Sequence, residues 1–187
     1  MKTKLTTKKI VLCGLLAALT CVGSAIRITL PLDIAGTTSF HLGNILCALS
    51  GILLGPWLGG LAAGFGSALY DVFNPLYISE CWLTFLMKFA YGLAAGLIIR
   101  CGKKDTWGYT RALLATIAGA TAYAAMYLAK SYFYSGLLIH GLEPAAAAAT
   151  VVMKLPATAF NAAVAIIIAP VLAMAIKKAL SKQNMGV

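Results

Sequence analysis

Asp71, Asn74, Tyr77, Glu80, Trp82 and Lys88 fall within one short stretch of the chain. Together they offer a carboxylate, an amide, flat aromatic faces and an ammonium group. Tyr127 and Lys130 follow in a later segment, Lys154 and Asn161 in the last one, and Arg27, Asp33, His41 and Asn44 lie from the end of the first apolar run to the start of the second. Groups of these kinds hold a small, flat, water-soluble molecule by stacking and hydrogen bonds. They are poorly suited to breaking bonds, because the acids stand far apart and the two histidines, His41 and His140, have no partner at catalytic or ligand spacing.

The surroundings make these residues conspicuous. Of 187 residues, 61% are hydrophobic and only 11% are charged, and the mean hydropathy is +0.89. Such a composition belongs to a chain whose solvent is lipid. A hydrocarbon core about 30 Å thick takes about 20 residues per helical span, which leaves room for about six spans and no second domain. Apolar runs and their Pro, Gly and charged breaks place helices at about 10–26, 42–54, 58–73, 82–99, 112–132 and 150–176. The last run begins in an alanine-rich stretch and contains Pro156 and Pro170, which are expected to bend it. The expected fold is therefore an all-α integral membrane protein, a bundle of six transmembrane helices forming a single membrane domain over 1–187.

Basic residues orient it. Lys2, Lys4, Lys8 and Lys9 precede the first helix, Arg100, Lys103, Lys104 and Arg111 flank the loop between the fourth and fifth, and Lys177, Lys178 and Lys182 follow the sixth. With six spans all three clusters share one side, and the excess of Lys and Arg makes that side, with both termini, cytoplasmic. The net charge of +10 is thus a topological signal and does not point to nucleic acid. The basic start followed by Gly23-Ser24-Ala25 imitates a cleaved signal peptide, yet it reads as a retained first helix because five further spans follow it.

By the same alternation, the costly polar residues gather toward the outer ends of the helices, while the inner halves are alanine, glycine and leucine. Polar groups at membrane depth are expensive and mark function. They are expected to form a polar and aromatic cup open to the outside.

Enzyme and metal signatures are missing. There is no H-E-x-x-H, G-x-S-x-G or G-x-x-x-x-G-K-[ST]; the nearest approach to the last, Gly96 to Lys104, has five residues between its glycines and a lysine where Ser or Thr is needed. Cys13, Cys21, Cys47, Cys81 and Cys101 are scattered without a C-x-x-C and read as small apolar fillers. No cofactor is expected.

Glycines supply the scaffold. Gly51, Gly55, Gly60, Gly64 and Ala68 in the second and third helices, and Gly92 and Gly96 in the fourth, repeat the small-xxx-small pattern that lets helix backbones approach in lipid. In the first helix Gly14, Ala17, Ala18, Cys21 and Ala25 make a small-residue face that suits either neighbours in the chain or another subunit.

The run FHLGNILCALSGILLGPWLGGLAAGFGSALYDVFNPLYI, followed by FLMKFAYGLAAGLI, resembles the substrate-specific S component of energy-coupling factor (ECF) transporters. The resemblance implies a six-helix subunit in the bacterial plasma membrane that captures a vitamin or vitamin precursor on the outer face. Arg27 to Phe40 would cap the pocket, and residues of the fourth to sixth helices would line it. The small face of the first helix would meet a transmembrane coupling subunit driven by two cytoplasmic ATPases, the receptor toppling in the membrane to release its cargo inward. The rival is a self-contained secondary transporter or channel, which would be expected to show inverted repeats.

Overall fold

The computed structural model describes residues 6–32, 37–101 and 107–182. Asp33, Lys2, Lys4, Lys103 and Lys104 lie outside the described residues. The elements are α1 Thr7–Ala25, β1 Arg27–Pro31, β2 Thr37–His41, α2 Gly43–Leu54, α3 Pro56–Val72, α4 Cys81–Arg100, α5 Tyr109–Ala129 and α6 Pro144–Lys182. A short 3-10 turn over Ile78–Glu80 leads into α4, and a π-helix over Lys130–Ile139 extends α5.

Side-chain contacts fix the alternation of the helices. Arg100 at the end of α4 donates to the Leu54 carbonyl at the end of α2 at 2.9 Å, and Lys177 near the end of α6 donates to the Trp107 carbonyl just before α5 at 2.6 Å. These termini therefore share one end of the bundle, the basic end. The opposite end holds the hairpin, the α3/α4 junction and the π-helix.

Helix α2 is the centre. It packs against α1, α3, α4, α5 and α6, and every residue from Ala48 to Ile52 is buried. At 1.5 Å per residue its 12 residues reach only about 18 Å, too short to cross a hydrocarbon core. Four segments, Thr7–Ala25, Ile78–Arg100, Tyr109–Ile139 and Pro144–Ser181, are long and apolar enough to cross by length and composition. Among the described residues there are thus six α-helices, four of them in these long segments and two, α2 and α3, shorter. Being enclosed by protein, α2 needs no full-length apolar surface of its own.

Helices α2, α3 and α4 meet backbone to backbone. A methyl group on Gly92 would come 2.6 Å from the Gly59 carbonyl oxygen and 2.9 Å from the Gly60 Cα, and one on Gly51 would come 2.8 Å from the Ala95 methyl. Gly55, at φ +81°, turns α2 into α3 with the Arg100 guanidinium against its Cα. The small-residue ladder is used inside the chain.

In α6 the buried stripe recurs every three to four residues. It is alanine toward the basic end, at Ala165, Ala169 and Ala173, and polar toward the other, at Thr150, Lys154 and Asn161. Pro156 and Pro170 both lie within this one helix, so neither ends it. The outer surface is the reverse of a soluble protein's: Val11, Trp57, Phe65, Leu97 and Ile167 are all more than half exposed. Only an apolar solvent makes such a surface inexpensive.

Two elements depart from the all-helical expectation. The segment after α1 is a two-stranded antiparallel ladder with Arg27 opposite His41 and Thr29 opposite Ser39. Its signal is the β-branched alternation of Arg27-Ile28-Thr29-Leu30 against Thr37-Thr38-Ser39-Phe40. The π-helix carries the fifth helix to Ile139, well past the expected end at 132.

Candidate functional site

A cavity of about 330 Å³ opens at the hairpin end of the bundle, between the hairpin, the α3/α4 junction, α5 with its π-helix, and α6. Its volume is at the small end of the range for pockets that enclose vitamin-sized molecules. Nine of the expected residues line it: Arg27, His41, Asp71, Tyr77, Lys88, Tyr127, Lys130, Lys154 and Asn161.

Each is delivered by its element. Helix α3 ends on Asp71, which is 5% exposed and takes a hydrogen bond from Thr84 of α4. One helical turn below the cavity rim, on the stripe that continues through Tyr91, Gly92 and Ala95, α4 points Lys88 inward at 3% exposure. Its ammonium donates to the Asn44 side-chain oxygen and lies 3.8 Å from the centre of the Tyr123 ring. Tyr123 and Tyr127, one turn apart on α5, stack with centroids 5.8 Å apart and planes 17° from parallel. Lys154 of α6 lies 5.8 Å from the Tyr127 ring centre and donates to the Ser131 hydroxyl over a long 3.4 Å. Lys130 and Glu80 form an ion pair at 2.5 Å.

The π-helix buries Ser131, Ser135 and Gly136, and Ser135 reaches Glu80 at 3.5 Å. Such wide turns recur at functional sites.

Arg27 closes the opposite flank. Its guanidinium sits between two aromatic faces, 4.1 Å from the Tyr70 centroid and 4.8 Å from that of Tyr77, and its Nε donates to the Ser24 carbonyl at 2.7 Å. Tyr77 in turn hydrogen-bonds Thr37 of the hairpin at 3.1 Å.

The hairpin is pinned over the cavity by one amide. Asn161 accepts from the His41 backbone N–H at 3.0 Å and donates to the Ser39 carbonyl at 2.7 Å, while Phe40 packs edge-on against Phe160 at 4.9 Å. Asn161→Ala removes both hydrogen bonds, a loss of about 1–3 kcal/mol of hairpin docking at about 0.5–1.5 kcal/mol each. Hydrogen exchange at residues 37–41 is expected to rise by about tenfold or more; unchanged protection would show that the strand is held by other contacts.

His41 adds a pH dependence. Burial pushes its imidazole well below the ordinary histidine value, and the positive charges of Lys88 and Arg27 push the same way. Its Nδ1 is shut off from solvent without a hydrogen-bond partner, so the neutral ring is the form that fits. Releasing the hairpin restores an ordinary imidazole that takes up a proton near pH 6.5. Docking is therefore fully stable above about pH 6.5 and weakens as the pH falls below it. Protection of the hairpin amides, corrected for intrinsic exchange, is expected to be lower at acid than at neutral pH, and His41→Gln is expected to abolish the difference.

Three expected residues are placed elsewhere. Asn44 lies behind the wall and holds Lys88. Asn74 caps the turn after α3, donating to the Tyr70 hydroxyl at 2.7 Å and accepting from the Leu76 N–H at 3.0 Å. Trp82 points outward, 52% exposed, edge-on to Tyr134 at 6.0 Å. Asp33 is outside the described residues. Glu80, which stands in the same stretch as Asp71 and Lys88, lines the cavity as well, and so does Tyr123, one turn from Tyr127. Thr84 and the hairpin hydroxyls of Thr37 and Thr38 also line it, and these carry no signal above an ordinary helix or strand.

The small face of α1 divides. Gly14, Ala18 and Ala25 are exposed, whereas Ala17 and Cys21 are half-buried; the Ala17 carbonyl lies against Gly66 of α3. Among the described residues, no cluster of His, Cys, Asp and Glu able to hold a metal ion occurs.

The model of the family described as "ECF-type riboflavin transporter, S component" matches residues 4–178. An uncharacterized protein of Pyrococcus woesei, named for a gap 3′ region, is 33% identical over 119 residues, which cover 64% of this chain and 74% of that protein. The family match runs from the basic start of α1 to the basic end of α6, through every element that frames the cavity. A transporter subunit and not an enzyme, the chain belongs to the family of S components of ECF-type riboflavin transporters.

Proposed function

We propose that the protein is the substrate-binding subunit of an ECF-type importer and that its cargo is a vitamin of the riboflavin type. The reading is carried by the polar and aromatic cavity at one end of a bundle whose outer surface is otherwise greasy. The parallel rings of Tyr123 and Tyr127 suit a flat heteroaromatic system, while Arg27, Asp71, Lys88 and Asn161 supply directional partners for ring carbonyls and a hydroxylated side chain. All six helices would lie in the membrane, the short α2 enclosed by the others, with both termini on the cytoplasmic side of a bacterial plasma membrane. The exposed Gly14, Ala18 and Ala25, and with them the edges of Ala17 and Cys21, would dock the transmembrane coupling subunit, itself driven by two ATPases. Close approach across small residues is the general means of joining helices in lipid.

Titrating the purified protein with riboflavin and following flavin fluorescence and calorimetric heat tests the cargo. Saturable quenching at one flavin per chain is expected. No quenching and no heat in the micromolar range would sink the assignment to flavins, leaving the family membership intact.

A further inference from the structure

The cavity wall is not electrically balanced. Arg27, Lys88, Lys130 and Lys154 line it against the two carboxylates Asp71 and Glu80. Glu80 is committed to Lys130, and Asp71 is held by Thr84 on the α3/α4 side, beside the Arg27 flank. Lys88 has an oxygen partner and an aromatic face. Lys154 has only weaker versions of both, the Ser131 oxygen at 3.4 Å and the Tyr127 ring centre at 5.8 Å. It is 4% exposed, and among the described residues that long contact is its one hydrogen bond. No carboxylate pairs with it among the described residues. An ammonium taken out of water keeps at least one donor aimed into the cavity, and such a donor is costly until something negative meets it.

From this geometry we infer that the site is built for an anionic cargo, with the negative group seated on Lys154 at the α6 and π-helix side of the cavity. On the flavin reading above, on which this inference rests, the cargo is a flavin bearing a phosphate monoester in preference to the neutral vitamin. Lys154 supplies the charge. His140 and the Ser135 hydroxyl, which would have to release Glu80, also line the cavity and are the further polar groups open to the monoester. The monoester carries close to two negative charges at neutral pH, which offset the two positive groups by which the wall exceeds its carboxylates, so that no net charge travels uncompensated when the receptor moves in the bilayer.

Riboflavin and riboflavin 5′-phosphate, titrated in parallel into the detergent-solubilised full-length protein, decide the matter. A charge-assisted contact predicts that the monoester binds about tenfold or more tightly at low salt, with the ratio shrinking as salt rises if part of the group is solvated. Lys154→Gln is expected to collapse the ratio toward one, and Lys154→Arg to preserve it. Equal binding, or tighter binding of the neutral flavin by the unaltered protein, would overturn the inference and leave the flavin reading standing. Binding of neither would overturn both. The unaltered protein alone supplies these outcomes, so they do not depend on either variant folding.

Discussion

Lys88→Met is expected to weaken cargo binding by about tenfold to a hundredfold, the loss of one charge-assisted hydrogen bond at a buried position of the cavity wall. The residue stands where three elements converge: α2 brings Asn44 to its ammonium, α5 brings the Tyr123 ring, and α3 ends close by on Asp71. Methionine reproduces the apolar stem of the lysine as far as Cε and lacks only the ammonium, so the packing below it is kept and the change tests the charged group. Stability should respond differently from binding. The single variant leaves the buried Asn44 oxygen without its donor, which costs about 1–3 kcal/mol. Removing both partners, as in Asn44→Leu combined with Lys88→Met, takes away the orphan and the buried charge together and should restore much of the thermal stability without restoring binding. A single variant with wild-type affinity for flavin would remove Lys88 from the site, whatever its melting temperature.

This separation between what holds the fold and what holds the cargo explains how the sequence could be read. The apolar runs show the helices because lipid permits little else. The depth of the costly residues shows the site, because an ionisable group at membrane depth must face inward; Lys88, Lys154 and Asn161 are legible for that reason. Depth says nothing of which way a residue near the rim turns. Trp82 and Asn74 share the depth of Tyr77, yet one faces outward and the other ties a turn. The hairpin is obscured because its strands are five residues each and border long apolar helices that dominate any window of hydropathy. The π-helix is hidden altogether, because neither hydropathy nor composition separates its turn from that of an α-helix. The short length of α2 is visible in the sequence, but its position at the centre of the bundle is set by the glycines of the helices around it.

Those glycines set the second large effect. Gly92→Ile is expected to abolish the folded receptor in detergent or reduce it to a loosely packed form without flavin binding, whereas Gly14→Ile should fold and bind as the parent does. Both glycines lie in apolar helices and both belong to small-residue patterns, so hydropathy alone predicts no difference. Their surroundings differ completely. Around Gly14 nothing lies within 4 Å of an added Cβ. Gly92 belongs to a closed ring of backbone contacts: a methyl on it would strike Gly59 of α3, one on Gly59 would strike Ser50 and Gly51 of α2, and one on Gly51 would strike Gly92 itself. No neighbour in that ring can rotate aside, because the atoms met are main chain. Overpacking of a rigid site costs about 1–3 kcal/mol for small insertions, the expected range for Gly92→Ala, and the three further carbons of isoleucine exceed what the three helices can absorb together. Binding should fail first. Gly92 is one turn, about 6 Å, from Lys88 on α4, and any wedge there moves α4 away from the helices that present Asn44 and Asp71. Thermal unfolding and flavin titration of Gly92→Ala, Gly92→Ile and Gly14→Ile would show this order; a stable, flavin-binding Gly92→Ile protein would mean that the three backbones are not in contact.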